Sequence, residues 1–437
     1  MLKEISLYFC FVVAPSISLG FAQGSSDWPQ YMGPERTGRT ELSGVDFQWS
    51  EDGPEIAWQI EVGPGFGGAS VRDGEVYLLD REPGELDILR VIELETGEPI
   101  WDAIYESPGR LMYRGSRSVP TVTEKFVVTC GGMGRVMCFD REDQLDVWSI
   151  DLAEEYYGNL PTYGWSCSPL VVDDMVVMTV LGDDIGLAAF DLASGDKLWT
   201  TKPVGTSHST PVLFDLLGEL QIAFVSSPPG ATSLNEAGVF TISSFSPKDG
   251  SLLWETETLG STYPIPGPVQ VGNDKLFITG GYRGGSALLQ ITKKGDEYSF
   301  ERLFYSERGA QVHNPILYDE HLYLVVNENW NQPRNLRKEG GLLCLGLDGT
   351  EKWRTGSDPY FGRGNVILAG DHLLVQDGFN GTLRVVKASP KGYEEVASAA
   401  IFGENVRGDK QMWGAMALAG RHLLMRSQDT LVCVELE

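Results

Sequence analysis

The chain has 437 residues, 42% of them hydrophobic, which is enough to bury a large core, with 52 glycines and 23 prolines spread along it. Its net charge is −27, from 34 basic and 61 acidic residues. The acids are dispersed, as on a solubilising surface. No Lys/Arg cluster offers a nucleic-acid footprint, and the densest basic spot is the short run Asn335–Gly340.

The first residues read as an export signal. Lys3 precedes an apolar run from Ile5 to Val13, and Gly20 and Ala22 fit a cleavage site before Gln23. The run is too short to persist as a membrane anchor. The expected divisions are a signal peptide at 1–22, an N-terminal segment at 23–53 and a single domain at 54–437, in a periplasmic or secreted protein. Five cysteines then remain: Cys130, Cys138, Cys167, Cys344 and Cys433. An odd count argues against a disulfide framework. Cys138, Cys344 and Cys433 share one position of the repeat described next, so they are expected to be separate buried thiols.

One phrase recurs along the chain: an apolar strand, an acidic or Gly turn, two or three residues, then tryptophan. It appears as Ile92–Trp101, Phe190–Trp199, Phe245–Trp254 and Leu345–Trp353, with a degenerate copy at Phe139–Trp148. Trp58, Trp101, Trp148, Trp199, Trp254 and Trp353 are spaced 43, 47, 51, 55 and 99 residues apart. The last gap holds two units, with Phe304 in the tryptophan slot of the first. A further unit places Val396 in the slot. Periods of 40–50 residues made of short strands predict a β-propeller.

Each unit reads as four strands with no helical periodicity. Eight units are counted, and seven blades is the alternative if the Phe304 or Val396 unit is incomplete. The eighth unit starts at Trp413 and lacks its fourth strand. The stretch Pro54–Val62, which carries Trp58, would supply that strand and close the ring, removing exposed sheet edges. The six tryptophans are expected to be structural, each packing on a turn of its own or the neighbouring blade.

This repeat resembles the tryptophan-docking repeat of PQQ-type β-propellers, and the segment Asp27–Gly38 is similar to the opening of many secreted members. The resemblance covers nearly the whole chain after the leader. It implies the fold, and it implies one of two kinds of protein: a quinoprotein alcohol dehydrogenase, or a non-enzymatic propeller such as BamB. The dehydrogenase pattern includes adjacent cysteines, a metal held by Glu, Asn and Asp, and a catalytic Asp. No Cys-Cys pair occurs here, and Glu328, Asn327, Asp358 and Asp377 are scattered. The sequence therefore predicts no cofactor, no metal, no catalytic residue and no support for PQQ with calcium.

The first strand of each blade lines the channel, and the residues entering it sit at one mouth. These are Phe66–Ser70, Arg117, Trp165, His208, Tyr263, His313 with Asn314, Arg363 with Asn365, and Trp413. Their Arg, His and aromatic content predicts a site for a small polar or anionic ligand. The rival reading is channel filling and capping of strand ends. Two long loops, Ser226–Gly238 and Asn327–Gly340, are the other candidates, with Trp330 and Arg334 as anchors for a protein partner, either exported or in the envelope. The function expected is a non-enzymatic binding or scaffolding module. The alternatives are a quinoprotein-type oxidoreductase and a carbohydrate- or small-anion-binding propeller.

Overall fold

The computed structural model describes residues 27–436, apart from 43–44, 46, 48, 50–52, 83–84, 229–237, 261–262, 283, 328–339 and 403–410. Among the described residues there is no helix, and eight small antiparallel sheets stand in a ring. Blade 1 comprises Ser70–Arg72, Glu75–Glu82, Leu86–Glu93 and Pro99–Glu106, running from channel to rim. The innermost strands of blades 2 to 7 begin at Thr121, Leu170, Val212, Val269, Ile316 and Val366. The Phe304 and Val396 units are both full blades, so the count is eight.

Burial explains the strand composition. The second strand of blade 1 is buried from Val76 to Arg81 because both of its faces meet neighbouring sheets. The outermost strand, Pro99–Glu106, alternates half-buried with exposed residues because only one face is covered. Blade 8 consists of Ala417–Ala419, His422–Arg426 and Thr430–Glu435, completed by Glu55–Glu61 from the start of the chain. In that closing ladder Trp58 faces Cys433. Cys138 faces Trp148 and Cys344 faces Trp353 in the same way, which confirms the shared repeat position of the three thiols. All five described cysteines are buried and unbridged.

A β-bulge precedes the tryptophan slot in all eight blades. In blade 1, Val91 faces Trp101 and Ile92 faces Pro99, leaving Ile100 as the extra residue. The bulge re-aims the following side chain. It also corrects one expectation. In blade 7, Val385 faces Ala397 and Val386 faces Glu395, so Val396 is the bulged residue and Ala397 holds the slot. Counting a period along the chain does not reveal which residue a bulge expels.

The slot residue docks on the next blade. Trp58 donates its indole N–H to the Leu94 carbonyl (2.7 Å), Trp148 to Leu192 (2.9 Å), Trp199 to Pro247 (3.1 Å) and Trp353 to Ser389 (2.7 Å). The turn glycine lies beneath the ring. A Cβ on Gly195 (φ +75°) would stand 2.8 Å from Trp148, so glycine serves both the left-handed turn and the close approach. Phe304 makes the equivalent contact on Gly349, as its slot position predicts.

Two tryptophans depart from this rule. Trp254 donates to Gln221 Oε1 of its own blade (2.7 Å) and packs on Tyr298 and Phe300. The receiving hairpin of blade 5 has two ten-residue strands, and its turn glycine, Gly295, has nothing near where an indole would sit. Trp101 meets Phe139 edge-on (6.1 Å), because Gln144 occupies the left-handed turn position of blade 2 in place of glycine.

The ring is also riveted electrostatically at its closing seam. Arg426 of blade 8 is 1% exposed. It donates to the carbonyls of Gly67 (2.9 Å) and Gly63 (2.7 Å) and reaches Asp80 of blade 1 at 3.4 Å. Asp80 is fully buried and also accepts from Arg90 (2.6 Å) and from the Gly63 N–H (2.8 Å).

The segment that opens the described chain crosses the channel. Trp28 exchanges both backbone hydrogen bonds with Val71 of blade 1. Pro29 accepts from Val122 of blade 2, and Arg36 donates to the Pro169 carbonyl, just ahead of blade 3 (2.9 Å). Arg39–Thr40 then pairs parallel with Leu368–Ala369 of blade 7. The channel is thereby divided. A wide basin of about 870 Å³ lies beyond the segment at the C-terminal ends of the inner strands, and a smaller cavity lies at their N-terminal ends.

Candidate functional site at the channel mouth

The smaller cavity holds about 140 Å³. Phe66, Arg117, His208, His313, Arg363 and Trp413, all expected from sequence, line it together, and Tyr263 packs on His208 beside them. Trp165, Asn314 and Asn365 turn elsewhere. Trp165 is 1% exposed and inserts between blades 2 and 3, donating to the Thr179 carbonyl (3.0 Å) with its ring over Gly134. Asn314 accepts from the Gly267 N–H (2.8 Å) and Asn365 from the Met416 N–H (3.3 Å). Val119 and Ser168 donate to Ser168 Oγ and Thr210 Oγ1 in the same manner. These polar side chains tie the entrance of one inner strand to that of its neighbour and are positioned as clamps between blades. Trp330 and Arg334 lie outside the described residues.

Among the lining residues not found from the repeat are Tyr113, Tyr163, Tyr282 and Gln311. Tyr113 comes from the connector between blades 1 and 2, and Tyr163 from the aromatic connector Glu154–Trp165. Tyr282 comes from the glycine-rich turn of blade 5, which joins two strands and is not a phosphate loop. Tyr31 of the crossing segment also lines the cavity, and its hydroxyl meets the Asn314 backbone.

Aromatic packing organises the mouth. Phe66 and Trp413 stack at 5.2 Å, joining the entrances to blades 1 and 8. Arg363 lies over Trp413 at 4.2 Å and Arg117 over Phe66 at 5.7 Å, so a guanidinium flanks each end of the stack. Arg363 Nε donates to Gln311 Oε1 (2.9 Å). Arg117 donates to the backbone carbonyls of Gly115 and Tyr113. Tyr163 contacts Tyr113 at 5.9 Å and His208 at 5.2 Å.

The electrostatics differ from those of the protein as a whole. The net charge is −27, yet among the described residues no Asp or Glu lines this cavity. Burial, followed by the charge of Arg81, lowers the Arg117 pKa to about 10. Burial likewise lowers Arg363. His208 falls to about 4 through burial and then the Arg117 charge. His313 falls to about 4 through burial. His208 Nδ1 pairs with Ser166 Oγ (3.0 Å) and the ring also meets the Gly164 backbone, whereas His313 meets the Trp413 backbone through one ring nitrogen and has no partner for the other.

Both histidines are therefore neutral at pH 7. Their folded pKa lies below the unfolded value of 6.5, so the unfolded chain binds more protons between the two. Stability is complete above pH 6.5 and is lost as pH falls toward 4. The expected result is a drop of a few kcal/mol across that window, measured by urea titration. The double variant His208→Gln/His313→Gln should flatten the drop; an unchanged slope would place its origin in other groups.

The overall geometry, eight blades closed by the N-terminal strand and stapled by indoles, defines a PQQ-like β-propeller. The family model described as outer membrane protein assembly factor BamB matches residues 72–328, more than half of the chain, and the chain belongs to that family. No curated protein sequence matches it. Similar solved structures include a europium-containing methanol dehydrogenase, with TM-score 0.67 and 11% identity, covering 92% of this chain and 90% of that one. BamB from Moraxella catarrhalis has TM-score 0.56 and 11% identity, covering 88% and 98%. The quinohemoprotein alcohol dehydrogenase from Comamonas testosteroni has TM-score 0.63 and 13% identity, covering 94% and 80%. At these identities the likeness is one of fold, and the neighbours include both enzymes and a non-enzyme.

The described lining of the mouth supplies no carboxylate for a metal-bound quinone. Calcium and similar hard cations require several oxygen ligands with carboxylates among them. The cavity offers two guanidinium groups, two imidazoles, phenols and an amide instead. Among the described residues no three His, Cys, Asp or Glu side chains are grouped to hold a metal ion.

Proposed function

We propose that the protein is an exported, non-enzymatic binding module whose channel mouth takes a small polar or anionic ligand. The observation that carries this reading is that Arg117 and Arg363 line one partly enclosed cavity, each over an aromatic ring, with no carboxylate among the described lining residues. Two guanidinium groups preorganised on one wall make a favourable place for an anion. The closed ring supports the same reading, since it supplies a rigid wall of strand ends on which binding groups are preorganised.

Thermal-shift screening with small organic acids and sugars tests it. Arg117→Ala/His313→Ala should abolish the shift given by any hit; an unchanged shift would move the site away from the mouth. Addition of PQQ with calcium should give neither stoichiometric binding nor alcohol-dependent dye reduction. Turnover in that assay would replace the binding reading with an oxidoreductase.

A further inference from the structure

We infer that the mouth binds a small carboxylate of about one-ring size and takes up a proton onto a histidine as that anion enters. This deepens the reading of the mouth as a ligand site and rests on it. Size comes first. A cavity of about 140 Å³ is comparable to one that accommodates a benzene-sized molecule. Its walls combine Val119, Ile265, Val312 and Ala415 with the aromatic side chains, so the body of the ligand is apolar and its polar part is confined to one end or edge.

Charge and hydrogen bonding determine that polar part. Arg363 and Arg117 attract an anion, and their forked donors match a carboxylate. His313 is 7% exposed and lines the cavity; one ring nitrogen meets the Trp413 backbone and the other has no partner. His208, 5% exposed, lines the same cavity and is held by Ser166 and the Gly164 backbone. A buried ring nitrogen without a partner is costly unless a ligand completes it. The titratable groups facing His208 are Arg117, Tyr163 and Tyr263. For His313 the other titratable groups of the lining are Arg363, Tyr113, Tyr282 and Tyr31. Among the described residues none of these is an acid, so the empty site opposes a charged imidazole. An incoming carboxylate reverses that balance, supplying both the acceptor and the negative charge that a protonated ring requires.

The sign follows from linkage. The complex binds one proton more than the free protein, so affinity rises as pH falls, up to about tenfold per unit between the free and liganded histidine pKa values. Isothermal titration of the full mature chain with benzoate and succinate, against benzamide and succinamide, tests this. Measurements from pH 5 to 7.5 in buffers of differing ionisation enthalpy report proton uptake directly. The expected result is binding of at least one acid, preference for it over its amide, and uptake of up to one proton. His208→Gln/His313→Gln should weaken binding of the acid, most at low pH, and abolish the proton uptake and the pH dependence of the binding that remains. Amide binding equal to acid binding, or acid binding with no proton uptake, would overturn the proton-coupled carboxylate while leaving the mouth a ligand site. No binding by any of the four, with Trp413 fluorescence unchanged, would overturn the ligand site itself.

Discussion

Replacing Arg426 with methionine is expected to lower stability by about 3–5 kcal/mol, the cost typical of removing one member of a buried ion pair. Arg426 is 1% exposed and spans the seam between blades 8 and 1. Methionine approximates its length but leaves the Gly63 and Gly67 carbonyls without that donor, and leaves Asp80 buried with less compensation. The matched control is Arg384→Met. Arg384 pairs with Glu395 on the rim (2.8 Å), where both partners are partly solvated, and such pairs contribute about 0–1 kcal/mol. Urea unfolding of the two variants measures the difference. Adding Asp80→Asn to Arg426→Met should cost less than the sum of the single changes, because the second change removes a charge the first left stranded. Equal losses for the seam and rim variants would mean that closure rests on strand pairing alone.

Trp148→Ala is expected to cost about 3–5 kcal/mol, as large aromatic truncations in packed sites do. The indole is buried, covers the Gly195 turn and donates to Leu192, so truncation opens a cavity between blades 2 and 3 and orphans a carbonyl. Trp101→Ala should cost less than half as much. Trp101 is only half-buried, and it meets Phe139 edge-on over a turn built on Gln144. The pair therefore separates docking from mere presence of a repeat tryptophan. Equal costs in chemical denaturation would show that the receiving turn contributes nothing.

Particular residues show how much was legible beforehand. Cys138 and Cys344 could be placed in equivalent positions because each precedes its tryptophan by a similar interval in a local hairpin, and Cys433 because its strand repeats the same apolar phrase, although its tryptophan, Trp58, comes from the other end of the chain. Phe304 could be placed by the same interval. Val396 was displaced by one because the expelled residue of a bulge is decided by pairing with the neighbouring strand. Trp165 stands at a mouth position of the repeat yet points between blades, because Gly134 leaves room there for an indole. Tyr113, Tyr163 and Tyr282 lie on connectors and a turn outside the repeat, where no period constrains them.

The sequence alone pointed to the four-stranded unit, to eight repeats with seven as the alternative, to closure by the stretch Pro54–Val62 and to the approximate location of the mouth. All of these follow from hydrophobic alternation and turn chemistry repeated over short distances. Only the tertiary structure decided which turn receives each indole, that Asp27–Thr40 crosses and divides the channel, and that Phe66 stacks on Trp413 between Arg117 and Arg363. These contacts join residues from different blades and from opposite ends of the chain. They exist only once ring closure brings those blades together, so no local pattern in the chain encodes them.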